Sequence, residues 1–254
     1  MNKYIKTSIL ILILVITSCE TNLDLEIGNR KVLSETFKLV SITDKSQNII
    51  EKYSYNSQNN LSNITFRSID NFNLTYSNGV LDFINTMKVE FDGDKVILQI
   101  SNTSRKVLEK TGNTWRISKE TLDGTEYITD DFLEIRFDEN NNINSTFLNS
   151  YNGTSFYYYD AMINPYQNIH ETLIISMLSY PLNIIEENIA FIGSTNNVVR
   201  FSKMPRNSQD QNLVSDQASV NEVIYNYTHP KFDVPVKRNL FPDRHKIILF
   251  NYNE

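Results

Sequence analysis

Short runs of aromatic and aliphatic residues alternate with clusters of Asn, Asp, Gly and Ser from about residue 31 to the C-terminus. Branched and aromatic side chains favour extended backbone, and the polar clusters between them favour tight turns. Because the runs are short and closely spaced, each strand is expected to pair with the next one along the chain. The pattern predicts an all-β domain, a mainly antiparallel meander of ten or more strands that forms an open sheet or a partial barrel.

Five hairpins can be placed from their turns. Asn78-Gly79 is a two-residue signal for a type I′ turn, because both residues tolerate the positive φ angles that this turn requires. The other turns are expected at 56–60, 92–94, 111–113 and 138–142. Asparagine accounts for 33 of the 254 residues, whereas glycine accounts for only seven. We therefore expect Asn to supply most of the turn residues.

Two hairpin units align without a gap, Tyr53 to Leu61 and Ile135 to Ile143. In each, an aromatic residue ends one strand, Asn56 or Asp138 begins the turn, and an aliphatic residue opens the next strand. Asn and Asp favour such positions because their side chains accept hydrogen bonds from the backbone that follows. The alignment indicates a weak internal repeat.

The N-terminus has the features of a bacterial lipoprotein signal. Lys3 and Lys6 precede an uninterrupted apolar run at 9–16, which at eight residues is far shorter than the roughly 20 that a spanning helix needs. The run ends in Ile16-Thr17-Ser18-Cys19, which resembles the lipobox whose cysteine becomes lipidated. Cys19 is the only cysteine of the chain, so no disulfide is expected.

The predicted organisation follows from this signal. Residues 1–18 are expected to be a lipoprotein signal peptide, 19–30 the lipidated Cys19 with a polar tether, and 31–254 a single all-β domain. The net charge is −6 and becomes −8 without the signal peptide, which disfavours nucleic acid as a partner. The expected membrane contact is the lipid on Cys19, in the outer membrane of the cell envelope. Both the periplasmic side and the cell-surface side of that membrane are compatible with the sequence.

Several aromatic motifs follow one another in a recognisable order. They are Tyr-x-Tyr-Asn at 53–56, Phe-Tyr-Tyr-Tyr-Asp at 156–160, Asn-Pro-Tyr at 164–166, Asn-Asn-Val at 196–198 and Tyr-Asn-Tyr at 225–227. With the lipobox, this order resembles Bacteroidota lipoproteins of unknown function whose domains carry tyrosine/aspartate hairpin units. The resemblance implies an all-β fold and an envelope location, and it implies no catalytic residues. The chain departs from that group by having Asn where glycines are common in turns.

One segment breaks the β pattern. Apolar residues recur at helical spacing and predict one short inserted helix near 168–180: Ile169, Leu173, Ile174, Met177 and Leu178. Asn168 is the expected N-cap, Pro181 ends the helix, and one face is expected to pack against the sheet. Residues 182–192 fit either a helix or a strand. Residues 203–219 are polar and predict a long exposed loop.

Motifs of known chemistry are not found. The sequence has no phosphate-binding glycine loop, no Gly-x-Ser-x-Gly and no His-Glu-x-x-His, and His170, His229 and His245 are not at ligand spacing from one another. We therefore expect no catalytic, cofactor or metal site. The run 138–142 places oxygen ligands as the start of a calcium loop does, but its sixth position is Ile143 rather than Gly. A hairpin turn is the favoured interpretation.

Aromatic side chains provide the candidate binding residues. Tyr157, Tyr158 and Tyr159 are consecutive, so Tyr158 is expected on the opposite sheet face from its neighbours. Exposed tyrosines and Trp115 could stack on sugar rings, although the favoured interpretation is that these rings cover the sheet as bulky cross-strand partners.

Three functions are compatible with these residues. The leading hypothesis is a non-enzymatic envelope lipoprotein that binds a glycan, protein or other extracellular ligand. The first alternative is a periplasmic lipid carrier or outer-membrane assembly factor. The second is an unrecognised glycoside hydrolase, in which Asp130 or Asp131 would work with Glu134 as a carboxylate pair.

Overall fold

The computed structural model describes residues 38–66, 71–151, 153–205, 219–227, 235–241 and 247–253, all within one compact unit. The signal peptide, Cys19 and the tether lie outside the described residues, as do His229, His245 and most of the predicted polar loop. Neither helix of the described chain has the length and apolar character that crossing a membrane requires.

Sixteen strands and two helices make up the described structure. The first eight strands are β1 Leu39–Asp44, β2 Ile49–Tyr55, β3 Leu61–Phe66, β4 Asn71–Ser77, β5 Val80–Ile84, β6 Met87–Asp92, β7 Lys95–Ser101 and β8 Ser104–Thr111. The next four are β9 Thr114–Asp123, β10 Glu126–Phe137, β11 Ile143–Leu148 and β12 Gly153–Ile163. Then come α1 His170–Met177, α2 Leu182–Gly193, β13 Asn196–Pro205, β14 Ser219–Asn226, β15 Lys237–Phe241 and β16 Ile247–Tyr252.

The strands form a closed barrel. Each strand pairs antiparallel with its neighbours in sequence, and β1 pairs with β16, where Ile42 lies opposite Phe250. The antiparallel meander predicted from the hairpins is therefore confirmed. The sheet is closed, which goes further than the open sheet or partial barrel that the sequence indicated.

Strand side chains alternate between the lumen and the outer wall. On β4, Phe72 and Leu74 are buried whereas Asn71 and Asn73 are exposed. Apolar side chains thus point inward and polar ones outward, as period-two patterning requires. The buried side chains of the wall form one continuous core with those of the helical segment.

The segment 164–195, which contains both helices, fills the lumen. Tyr166 packs edge-on against Tyr53 of β2 and Phe250 of β16, and Tyr180 packs against Phe72 of β4. A barrel of sixteen strands is too wide for its wall side chains alone to fill. The helices supply the missing volume with apolar residues that are almost wholly buried: Leu173, Ile174, Leu178, Ile185, Ile189 and Ala190.

The structure confirms which residues of the predicted helix are buried, and it corrects the predicted N-cap and the number of helices. All five apolar residues predicted to pack are buried, Met177 among them. The predicted N-cap is wrong: the helix begins at His170, Ile169 is its N-cap and no side chain caps it. The single predicted helix is joined by a second at 182–193, the segment for which helix and strand both stayed open. Both helices lie inside the barrel because only the lumen offers apolar contacts on several sides.

The predicted polar loop begins later than expected. Residues 203–205 belong to β13, and Ser219 already belongs to β14. Lys203 pairs with Ser155 of β12 in the sheet, and its ammonium lies 2.9 Å from Glu186 Oε2. Residues 206–218 lie outside the described residues.

Glu186 of α2 is a buried carboxylate held by the wall. Its Oε1 accepts hydrogen bonds from Ser155 Oγ at 2.5 Å and Thr146 Oγ1 at 3.3 Å, and Lys203 pairs with Oε2. A buried charge without partners would cost several kcal/mol, so these contacts fix where α2 meets β11, β12 and β13.

Three hairpin turns share one geometry. In each, the first side chain accepts backbone N–H groups two and four residues later, as Asp138 does from Asn140 and Asn142 at 2.9 Å. The other two turns begin at Asp44 and Asn56. The fourth residue of each turn has a positive φ: 63° at Gln47, 65° at Asn59 and 59° at Asn141. The internal repeat predicted from two of these units therefore has a third member, at 44–48.

Candidate ligand-binding site

One end of the barrel, the near rim, carries the turns 56–60, 78–79, 93–94, 112–113 and 138–142 together with both ends of the helical segment. A cavity of about 300 Å³, the near-rim cavity, opens there. Its lining consists of two hairpin turns, two aromatic residues and the start and end of the helical segment: Gly112, Asn113, Trp115, Phe137, Asn141, Gln167, His170, Gly193, Ser194 and Thr195.

The apolar wall of the near-rim cavity is aromatic. Trp115 at the start of β9 and Phe137 at the end of β10 have ring centroids 4.7 Å apart. Lys110 Nζ lies 4.6 Å from the Trp115 ring centroid and pairs with Glu171 Oε1 at 2.7 Å. Its hydrogen bond lowers the pKa of the Glu171 carboxyl. Phe137 and Lys110 thus hold Trp115, which stays only half-buried, with part of its ring open to the cavity.

Amides, hydroxyls and an imidazole form the polar wall. His170 Nδ1 lies 2.6 Å from the carbonyl oxygen of Gln167. A carbonyl oxygen only accepts, so Nδ1 is the donor, which leaves Nε2 for a hydrogen bond with a ligand. Asn113 and Asn141 add exposed amide groups from the turns. The wall therefore presents both donors and acceptors.

The floor of the near-rim cavity is close-packed. A Cβ on Gly193 would lie 3.1 Å from the Cδ1 atoms of both Ile143 and Ile174, so glycine allows α2 to end against the wall. Ser194 Oγ accepts the Ile143 N–H at 3.0 Å and donates to the Tyr159 hydroxyl, which donates to the Ile143 carbonyl. Burial raises the pKa of Tyr159, which keeps this hydroxyl protonated.

A second cavity of about 330 Å³ opens at the near rim on the other side of the start of α1. Tyr76, Val80 and Phe91 line it, and Phe91 is 48% exposed. Glu171 also lines it, so the Lys110–Glu171 pair lies between the two cavities. Exposed aromatic surface at this rim is therefore not confined to the near-rim cavity.

The four predicted binding residues fall in different places. Trp115 lines the near-rim cavity, and Tyr159 lies beneath its floor. Tyr157 is buried in the lumen, with its hydroxyl 3.2 Å from Thr146 Oγ1. Tyr158 is 54% exposed on the outer wall, near the Arg200 guanidinium. The predicted alternation is confirmed, whereas the structure brings only Trp115 to a cavity opening.

Sequence reasoning missed Phe137, Gln167 and His170 as cavity residues. They are far from Trp115 along the chain, and nothing local marks them. Gly193 was the available signal, because a glycine outside the tight turns of a glycine-poor chain indicates a close approach of backbone to side chains.

The acidic candidates have other partners. Asp138 caps its own turn. Asp130 Oδ2 accepts a hydrogen bond from Thr121 at 2.5 Å, and Glu134 pairs with Arg136 on the outer wall at 2.7 Å. The described part of the chain contains no cluster of three His, Cys, Asp or Glu side chains placed to hold a metal ion.

Comparison with known proteins finds similarity to a solved structure, without a match to a protein family. No protein-family model and no curated protein matches the chain. Among solved structures, it is similar to a porin-like protein from Bacteroides vulgatus ATCC 8482, with a TM-score of 0.42 and 12% identity, over 85% of this chain and 99% of that one. The function of this chain therefore has to be argued from its own residues and cavities.

Proposed function

We propose that this protein is a non-enzymatic lipoprotein of the cell envelope that binds a glycan in the near-rim cavity. The observation that carries the proposal is the position of Trp115. Its half-buried ring, beside that of Phe137, opens into a cavity that also presents amide, hydroxyl and imidazole groups.

This combination suits a sugar ring. An aromatic face packs against the C–H groups of a sugar, while amides and an imidazole pair with its hydroxyls in both directions. The cavity volume of about 300 Å³ is at the small end of ligand pockets, which fits one sugar unit of a longer chain that leaves through the opening.

The outer wall supports attachment through a lipid rather than through the barrel surface. Ion pairs join outward side chains along β6 to β10: Lys88–Glu90, Lys95–Glu109, Arg105–Glu120 and Glu134–Arg136. A wall in contact with hydrocarbon is apolar, and each charged side chain there costs about 2–4 kcal/mol at mid-depth. These charges therefore support the proposal that membrane attachment comes from a lipid on Cys19, in the outer membrane.

The filled lumen does not favour the carrier alternative. An acyl-chain carrier needs a hollow apolar interior, whereas the helical segment occupies the lumen of the described barrel. The glycoside hydrolase alternative requires a pair of carboxylates. The polar groups of the near-rim cavity are amides, hydroxyls and the His170 imidazole, and its lining contains no carboxylate.

Glycan-array screening of the full-length protein, followed by calorimetry on the best oligosaccharide, tests the proposal. We expect Trp115→Ala to weaken binding at least about tenfold, because the stacking surface is lost. Gln167→Ala should weaken it several-fold without affecting the fold, since only the backbone of Gln167 makes a hydrogen bond within the described structure.

Tyr158→Ala is the matched control, because Tyr158 is an exposed aromatic residue on the outer wall, outside the cavity lining. It should bind as the wild type does. The proposal is wrong if no glycan binds at millimolar concentration, or if Tyr158→Ala and Trp115→Ala weaken binding equally while both remain folded by circular dichroism.

A further inference from the structure

A separate cavity of about 450 Å³ lies at the opposite end of the barrel, the far rim. It is formed by the far-rim portions of β7 to β10, the loop after β11 and the linker between α1 and α2. It shares no lining residue with the near-rim cavity. Any ligand bound there is independent of the proposed glycan site.

A buried lysine lines this far-rim cavity. Lys106 of β8 is only 7% exposed, and its ammonium donates to the carbonyl oxygen of Tyr180 just beyond α1. Among the described residues that carbonyl is its one hydrogen-bond acceptor. An ammonium has three N–H donors, so two are left for an acceptor that enters the cavity.

A second cation lies on the same lining. Lys119 of β9 is half-exposed, with its ammonium 3.4 Å from Asp130 Oδ2. Burial lowers the pKa of Lys106 to about 8, and repulsion from the nearby positive charge of Lys119 lowers it in the same direction. A ligand anion between the two ammonium groups would relieve that repulsion.

The rest of the lining accommodates hydroxyl groups and a ring. Asp131 Oδ1 accepts the N–H groups of Phe132 at 2.9 Å and Ser150 at 3.1 Å, which leaves Oδ2 for a ligand hydroxyl. Ser104 and Ser179 add hydroxyls. Apolar surface comes from a further group of lining residues: Ile100, Tyr151, Pro181 and Leu182.

We infer that the far-rim cavity is a second binding site, for a sugar acid whose carboxylate lies between the ammonium groups of Lys106 and Lys119 and whose hydroxyls face Asp131. A simple inorganic anion would satisfy the lysines and leave the Asp131 carboxylate facing a like charge. A neutral sugar would leave the Lys106 ammonium without a counter-charge among the described residues, since Lys119 alone pairs with Asp130.

Calorimetric titration of the full-length protein with D-glucuronate tests this inference, with D-glucose as the neutral analogue. We expect glucuronate to bind at least about tenfold more tightly than glucose, because its carboxylate accepts charge-assisted hydrogen bonds from the two ammonium groups. Lys106→Met should weaken glucuronate binding at least about tenfold. Lys119→Met, at a half-exposed position that should not disturb folding, should weaken it several-fold.

Lys52→Met is the control, because Lys52 is exposed on β2 and does not line the cavity. It should bind glucuronate as the wild type does. Equal binding of glucuronate and glucose, or unchanged binding in both Lys106→Met and Lys119→Met, would overturn the inference. Methyl β-D-glucuronide distinguishes a uronate unit within a glycan from a free sugar acid as the natural ligand. Binding as tight as that of glucuronate supports the unit within a glycan, and weaker binding supports the free sugar acid.

The proposals for the two cavities can be tested separately. Trp115→Ala should leave glucuronate binding unchanged, and Lys106→Met should leave glycan binding at the near rim unchanged. Loss of glucuronate binding in Trp115→Ala would assign that binding to the near-rim cavity and contradict a second site.

Discussion

Asn and Asp residues shape this barrel through their own side chains. In the turns that begin at Asp44, Asn56 and Asp138, a single oxygen accepts two backbone N–H groups that the turn would otherwise leave unpaired. These contacts span only four residues, so the sequence alone predicted two of the three turns. The turn at 44–48 was missed because Gln47 occupies the position at which Asn lies in the other two.

Lys106 represents the opposite case, a residue whose properties depend on distant neighbours. Burial is the larger cause and the positive charge of the nearby Lys119 the smaller cause that lower its pKa from 10.5 to about 8. Below pH 8 the folded and unfolded chains both hold the proton, and the cost of burying the ammonium is fully present. Between about pH 8 and 10.5 only the unfolded chain still holds it, so the free energy of unfolding rises with pH.

We predict that Lys106→Met removes this rise. The free energy of unfolding of the wild type, relative to that of Lys106→Met, should increase by roughly 1–2 kcal/mol between pH 7.5 and 9.5. Urea titrations at several pH values would measure it. Buried tyrosines such as Tyr157, whose pKa is about 12, act in the opposite direction at higher pH and cancel in the comparison. A constant difference between the two proteins across this range would contradict the prediction.

At the scale of elements, the helical segment contacts the barrel wall at specific residues. Glu186 ties α2 to β11, β12 and β13, and Gly193 lets the end of α2 approach Ile143 and Ile174 closely. Hydrophobic periodicity predicted which face of α1 is buried. It could not predict that the covering surface is the inside of a barrel, because periodicity describes one element and not its partner.

We predict that Gly193→Ala destabilises the protein by about 1–3 kcal/mol, because the added methyl group would lie 3.1 Å from two Cδ1 atoms. Ile174→Val removes one of these atoms and should cost about 0.5–1.5 kcal/mol alone. The destabilisation of the double variant should be smaller than the sum of the destabilisations of the two single variants. A double-mutant cycle from denaturant unfolding would measure this coupling, and strict additivity would contradict the proposed contact.

At the scale of the molecule, closure of the barrel depends on its two terminal strands. β1 and β16 pair along Ile42 to Asp44, and the backbone of Lys38 exchanges hydrogen bonds with Asn253 at 2.5 and 3.0 Å. The ends of the described chain are therefore adjacent at the near rim. Opening this seam would leave two unpaired strand edges, which are prone to aggregation.

We predict that a circular permutant tolerates new ends between Asn78 and Gly79. With residue 253 joined to residue 38 by a short Gly/Ser linker, it should keep its β circular dichroism spectrum and unfold cooperatively, within about 10 °C of the linear chain 38–253. Deletion of 247–254 is the comparison, and it should abolish cooperative thermal unfolding because it removes the seam. Unchanged unfolding of the deletion variant would show that closure contributes little to stability.

The sequence by itself determined the order of the strands, most of the hairpin turns and the buried face of α1. Each of these depends on local physics: alternation of side chains along a strand, side-chain capping of a turn, and helical spacing over a few residues. The antiparallel meander follows directly, because consecutive strands pair with their neighbours.

Only the tertiary structure decided that the sheet closes, that both helices lie inside it, and that each rim carries a cavity. Closure depends on the cumulative twist and stagger of sixteen strands, a global quantity that no local pattern encodes. The same is true of the candidate sites. Trp115 and Gln167, or Lys106 and Asp131, are far apart along the chain and become neighbours only after the barrel has closed around the helices.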